Sequence, residues 1–255
     1  MAKAGFQSSQ EMLIDKTCFV KFSGHVAPYI RATLVKEVMK YLLYHCHQIQ
    51  MPFEQIKYDL ESPKKDPNCK RPLMEVKNAK KLVANLEEIF SHIDMLFSVA
   101  CVQRFAIIFG ATIVSPKEVY HMTIADNSGS TGDSLRTKTC VRTLMKELIT
   151  SEALLSVKKT SGKISPPTKM FLLVYAHRNS GIEWFVPINF TGPKRGEQFW
   201  IKLEHGGVNI EDDVPANIAD DQDHFDNDDW IWFKAPVDVK GFLEKATNSS
   251  NIFQL

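Results

Sequence analysis

Apolar residues recur along this chain with two periods, one typical of helices and one typical of strands. Apolar positions spaced three or four apart predict three amphipathic helices, at about residues 29–50, 78–100 and 134–151. Short apolar or alternating runs predict strands at residues 18–22, 105–109, 119–124, 170–176, 184–190, 198–203 and 230–233. This order predicts an α+β domain, in which an antiparallel sheet packs against three helices on one face.

The most aromatic predicted strand lies near the C-terminus. Trp230, Ile231, Trp232 and Phe233 are consecutive, and Pro236 bends the chain before a second short strand. An exposed strand of this composition would promote aggregation. We therefore predict that the C-terminal strand docks on the chain's own sheet.

Polar segments mark the limits and the loops of the predicted domain. Residues 1–17 and 246–255 are predicted to be flexible tails around a single domain of residues 18–245. Residues 62–77 are rich in proline and lysine and predict a basic loop, or alternatively a localisation signal or partner patch. Residues 211–229 hold nine acids and no Lys or Arg, which predicts a solvated acidic loop.

The overall composition argues against several classes of protein. The chain has 255 residues, of which 44% are hydrophobic, enough for one sizeable core. Its formal net charge of +1 is too small to attract the whole chain to nucleic acid or to a membrane surface. No apolar run approaches the length of a membrane span. Five scattered cysteines without a C-x-x-C pair favour a reducing compartment over a disulfide framework or a zinc ribbon. We expect a soluble, intracellular protein.

No recognised catalytic or metal-binding motif occurs in the sequence. The phosphate-binding loop, the serine nucleophile elbow and the H-E-x-x-H zinc motif are all missing. His177, Arg178 and Asn179 form the most polar cluster beside a buried strand, and Gly181 after them favours a turn. The acidic tract lacks the Gly and Glu that an EF-hand needs. We therefore expect neither catalysis nor a metal nor a cofactor, although a deep polar pocket around His177 would favour an enzyme.

Several short motifs occur in an order typical of one known family. They are PFEQIK at residues 52–57, GATIVSPKEVY at 110–120, HRNSGIEWFVP at 177–187, RG at 195–196 and WFKAPVDVKGF at 232–242. Together these motifs resemble the comet protein family over about residues 19–243. The resemblance implies a HORMA-like fold.

The resemblance also implies the function of a non-enzymatic adaptor. Such an adaptor recognises the closed conformer of the mitotic-arrest-deficient-two checkpoint protein (Mad-two below). It then presents that conformer to a hexameric AAA+ ATPase of the pachytene-checkpoint type, which dismantles the mitotic checkpoint complex and silences the spindle checkpoint. The implied location is nucleus and cytoplasm, with kinetochore or spindle association in mitosis. The alternative is a HORMA-type module of another pathway that captures a peptide as an added strand.

On this resemblance, the Mad-two surface lies on the third predicted helix and at the end of the first. Met145 and His45 stand where the family has a central Phe and Gln. Independently of the resemblance, Met145 and Ile149 form an apolar stripe beside the core stripe, flanked by Lys138 and Arg142. An apolar patch with an Arg rim is typical of an interface centre. The same stripe is also compatible with the flank of a wide core.

A second contact, with the ATPase, is implied just after the Trp-Phe motif. The family has a Pro-Lys pair there, whereas this chain has Pro187 followed by Ile188. Lys194 and Arg195 are close in sequence and are candidates to supply the missing positive charge. The predicted ATPase contact therefore consists of Pro187, Lys194 and Arg195.

Overall fold

The computed structural model describes residues 16–62, 73–124, 135–155, 167–193, 195–205 and 229–243. The proline-rich part of the predicted basic loop and nearly all of the predicted acidic loop lie outside the described residues. So do almost the whole N-terminal tail, the C-terminal tail and Lys194. The structural statements that follow concern the described residues.

Four helices are described, one more than the sequence pattern predicted. They are α1 (Pro28–His45), α2 (Phe53–Glu61), α3 (Leu73–Val99) and α4 (Thr137–Thr150). Helices α1, α3 and α4 correspond to the three predicted ones. The nine-residue α2 was missed because it buries only Phe53 and Ile56, one turn apart, which is too short a repeat to show a period. Helix α1 ends before the predicted position 50, since His47 adopts a left-handed φ of 53°.

Eight strands form one sheet. They are β1 (Thr17–Phe22), β2 (Val102–Gly110), β3 (Pro116–Ile124), β4 (Lys169–His177), β5 (Val186–Ile188), β6 (Glu197–His205), β7 (Trp230–Lys234) and β8 (Val239–Lys240). Their order across the sheet is β1-β6-β3-β2-β4-β7-β5, and β8 pairs with β4. Most pairs are antiparallel, but β6 runs parallel to both β1 and β3.

The sheet is therefore mixed, which corrects the prediction of a purely antiparallel sheet. Parallel neighbours require long crossover connections, and β6 meets β1 and β3 only after the chain has passed through α4, β4 and β5. Local alternation of apolar residues identifies a strand but carries no information about such distant partners.

The main hydrophobic core lies between the helices and one face of the sheet. Phe105, Ile107 and Phe109 of β2 point into it together with the buried residues of all four helices. Ala106 and Ile108 point to the opposite face, where they form a smaller cluster with Val119, Phe171 and Leu173. Among the described residues, no helical side chain belongs to that smaller cluster, so the helices occupy one face.

The C-terminal strand is an interior strand of the sheet. β7 pairs with β4 on one side and with β5 on the other. After the bend at Pro236, Val239 pairs with Met170 of β4. A Cβ at Gly241 would lie 2.5 Å from the carbonyl oxygen of Gln48, so this close approach requires glycine. The C-terminal segment is thus part of the sheet and is packed against the end of α1.

Candidate partner-binding surfaces

Helix α4 has an outer stripe of accessible residues. Lys138, Arg142, Met145 and Ile149 follow one another at spacings of four, three and four, so they share one face of the helix. Lys138 and Arg142 are exposed, Met145 is half-buried and Ile149 is 57% exposed. The opposite side of the helix enters the core through Cys140, Leu144 and Leu148. The apolar stripe with a basic rim is therefore accessible to a partner.

His45 holds the end of α4 instead of facing solvent. It is only 6% exposed. Its Nε2 donates to the carbonyl oxygen of Leu154 at 3.0 Å, and its Nδ1 lies 3.2 Å from the Tyr41 hydroxyl. That hydroxyl donates to the carbonyl oxygen of Leu148 at 3.1 Å. The structure thus places His45 differently from the surface position that the resemblance implies, because it lies one turn after Tyr41 on the side of α1 that faces α4.

Two exposed apolar residues that the sequence analysis did not single out lie beside this junction. Tyr44 precedes His45 on α1, and Leu155 follows Leu154 after α4. The hydrogen bond between His45 and Leu154 therefore brings the neighbours of both residues to one region of the surface. The sequence signal for this region was Tyr44, an aromatic residue on the polar side of the first predicted helix. The apolar period of that helix does not account for such a residue.

Pro187 lies on β5, the outermost strand of its side of the sheet. It is exposed, and proline is tolerated there because an edge strand needs fewer backbone donors. Ile188 is opposite Trp232 of β7, and Phe190 meets the Trp232 ring edge-on at 5.4 Å between centroids. Val186 is opposite Lys234. Lys234 is therefore a basic residue on the strand next to Pro187, but its side chain alternates to the other face of the sheet, where its Nζ lies 5.6 Å from the Phe171 ring centroid.

Arg195 lies far from Pro187 although only eight positions separate them in sequence. Arg195 is exposed and precedes β6, whereas Pro187 is on β5. These two strands are five strand spacings apart in the sheet, which is about 24 Å. Among the described residues of the predicted ATPase contact, Pro187 and Arg195 therefore do not form one patch.

The polar cluster at the end of β4 builds a turn. The backbone N–H of Asn179 donates to Nδ1 of His177 at 3.1 Å, and that of Ser180 donates to the His177 carbonyl at 3.0 Å. Gly181 follows with a left-handed φ of 70°, which glycine adopts without strain. The imidazole and the carbonyl of His177 are thus used by the turn itself.

The described ranges contain no cluster of three or more His, Cys, Asp or Glu that could hold a metal ion. None of the described helices combines the length and the apolar character that crossing a membrane requires.

Comparison with known proteins identifies the family. The p31comet family model, described as "Mad1 and Cdc20-bound-Mad2 binding", matches residues 2–244. The chain is 30% identical over 250 residues to the MAD2L1-binding protein of Homo sapiens, which covers 93% of this chain and 84% of that protein. It is 29% identical over 234 residues to the MAD2L1-binding protein of Mus musculus, covering 88% and 78%. The family resemblance noted in the sequence motifs is confirmed, and the chain belongs to the p31comet family.

Proposed function

We propose that this chain is a non-enzymatic adaptor that binds the closed conformer of Mad-two. The observation that carries the proposal is the accessible stripe of Met145 and Ile149 between Lys138 and Arg142 on α4. In interfaces of this kind, a few side chains at a compact apolar centre contribute most of the binding free energy, and the charged residues around them contribute less. The family description, which names Cdc20-bound Mad2, supports Mad-two as the partner.

In this proposal His45 acts as a positioning residue. Its hydrogen bond to Leu154 connects α1 to the segment just after α4, and the Tyr41 hydroxyl that it contacts donates to Leu148 in the last turn of α4. The exposed Tyr44 and Leu155, next in sequence to His45 and Leu154, are candidates to extend the stripe at that end. A rigid support lowers the conformational entropy that the surface loses when a partner binds.

Conformer selection requires a difference in affinity, since a ligand that binds two states equally shifts neither. We expect this chain to bind closed-locked Mad-two at least about tenfold more tightly than open-locked Mad-two, equivalent to about 1.4 kcal/mol. Titration calorimetry with the two locked forms measures this directly. Equal affinity for both forms would contradict the adaptor proposal and leave a simple Mad-two-binding protein.

The second part of the proposal is presentation of Mad-two to the AAA+ ATPase, and hence disassembly of the checkpoint complex and checkpoint silencing. The ATPase supplies the energy, so this chain needs no active site. Pro187, Lys194 and Arg195 are the contact residues that the sequence suggests. The register adds Lys234 on the strand next to Pro187, with its side chain on the other face of this edge. We propose that the protein works in the nucleus and cytoplasm, with kinetochore or spindle association in mitosis.

Two charge reversals separate the possible ATPase contacts. Lys234→Glu is expected to weaken ATPase binding about tenfold or more, because Lys234 is the described basic residue of β7, the strand next to Pro187 at this edge of the sheet. Arg195→Glu changes the same charge five strand spacings away, at the position that the sequence suggests, and is expected to have the smaller effect. Both variants should retain Mad-two binding in a pull-down. Loss of ATPase binding in Arg195→Glu alone would place the contact at the start of β6.

The rival function, capture of a peptide as an added strand, has less support. Such capture needs a free sheet edge. Here the aromatic strand β7 is paired on both sides within the described sheet, and the edge strand β5 has three residues, one of them Pro187, so the six-residue β1 is the longer described edge left for such capture.

A further inference from the structure

The sheet face opposite the helices carries a row of aromatic and basic side chains. The strand register aligns Phe19 of β1 with Lys202 of β6. The same row continues through Thr123 of β3, Arg104 of β2, Tyr175 of β4 and Trp232 of β7. Their sequence neighbours Val20, Ile201, Phe105 and Phe233 are buried in the core on the helix side. Because side chains alternate along a strand, the row faces away from the helices.

The β1 and β6 end of this row is the most open. Phe19 is 42% exposed, and the Nζ of Lys202 lies 5.9 Å from its ring centroid. Two residues further along both strands, on the same face, the Nζ of the mostly exposed Lys21 lies 3.9 Å from Oε2 of Glu204. On the other side, Trp200 stacks on His121 with centroids 5.4 Å apart. We call Phe19, Lys21, Trp200 and Lys202 the β1–β6 patch.

The charges of this patch are unbalanced. Lys21, Lys202 and the neighbouring Arg104 are basic, and Glu204 is the one acid that the described strands place among them. Glu204 is largely buried, and its Oε2 has no hydrogen-bond partner among the described residues. Asp229, the described acid at the end of the acidic tract, lies near His177 on the β4 and β7 side of the sheet. The exposed charge of the patch is therefore positive.

We propose that the β1–β6 patch is a second docking surface, which binds an acidic polypeptide segment of a partner protein. Complementary charge steers such a segment to the patch and fixes its register. Phe19 and Trp200 provide apolar area that their neighbours already hold in place, so little side-chain entropy is lost on binding. The patch lies on the sheet face away from the helices, so it remains free when the outer stripe of α4 is occupied.

Two features favour a polypeptide over single-stranded nucleic acid. Stacking of bases requires open ring faces, but His121 already covers one face of Trp200. Single-strand binders also line a groove with positive charge over several nucleotides, whereas the patch itself carries two lysines, Lys21 and Lys202.

The test measures binding of short poly-L-glutamate to the full chain at low salt by titration calorimetry. The double change Lys21→Glu with Lys202→Glu is expected to weaken this binding about tenfold or more. The matched control is Lys80→Glu with Lys81→Glu, two exposed lysines on α3, and it should leave the affinity within about twofold of wild type. If the patch variant does not fold, Lys202→Gln keeps the Lys21 ion pair with Glu204 and must still weaken binding.

Three results would overturn this assignment. The first is absence of poly-L-glutamate binding, or an equal loss in the control variant. The second is tighter binding of a deoxythymidine oligonucleotide than of poly-L-glutamate, which would make the patch a nucleic-acid surface. The third is binding that occurs only after the acids of residues 211–229 are replaced by their amides, since the chain's own acidic tract would then be the occupant.

Discussion

Removal of residues 230–255 is expected to leave a chain that does not fold. Strand β7 lies between β4 and β5, so its loss exposes the edge of β4 and removes the partner of β5. Phe233, Ala235 and Val239 are nearly fully buried. Loss of a buried Phe alone costs about 3–5 kcal/mol, a large part of the roughly 5–15 kcal/mol that stabilises a domain. Soluble yield and circular dichroism of the truncated protein measure the effect.

A shorter truncation and a point change serve as controls. Removal of residues 246–255 alone, beyond the last strand, is expected to leave the melting temperature unchanged. Phe233→Ala in the full chain is expected to lower the free energy of unfolding by about 3–5 kcal/mol in urea denaturation. A chain ending at residue 229 that stays soluble and melts like the full protein would show that β7 is an accessory strand.

Loss of the α4 stripe is expected to abolish most Mad-two binding. Met145→Ala with Ile149→Ala should weaken binding of closed Mad-two by about 2 kcal/mol or more, roughly 30-fold. Stability should change by less than about 1 kcal/mol, because Ile149 is 57% exposed and Met145 is only half-buried. Calorimetry of binding and urea denaturation of the same samples separate the two effects.

Helix α3 offers a matched control for this pair. Met95 and Val99 are 51% and 62% exposed and, like Met145 and Ile149, lie four residues apart on a helix. Met95→Ala with Val99→Ala removes a similar apolar area elsewhere and should leave the affinity unchanged. If the α4 variant keeps full affinity for closed Mad-two while folded, the partner binds another surface.

His45 is expected to behave as a support and not as a contact. His45→Ala removes the hydrogen bond to Leu154 and leaves that carbonyl oxygen without this donor. Leaving a buried polar group unpaired costs about 1–3 kcal/mol of stability. Mad-two binding should fall only as far as α4 loses its position, so a Met145 and His45 double variant mixes the two effects and is a poor probe of the interface.

Much of the secondary structure and one surface could be predicted from the sequence alone. Spacing of apolar residues predicts α1, α3 and α4, because each helix needs one continuous apolar side. The same spacing places Met145 and Ile149 one position beyond the core residues Leu144 and Leu148, and the structure leaves that stripe accessible. The aromatic run at Trp230 predicts a docked strand, since exposure of such a run is unfavourable. These features depend only on residues that are near one another in the chain.

The tertiary structure decided which of these elements meet. The sheet pairs β6 in parallel with β1 and β3 and separates Pro187 from Arg195. Packing of α1 beside α4 buries His45 against Leu154. His45 and Leu154 are 109 positions apart, and local periodicity records only that a side chain is on one face of its own helix. Whether that face meets solvent, a partner or another helix depends on packing of distant elements, because burial is a property of the assembled core.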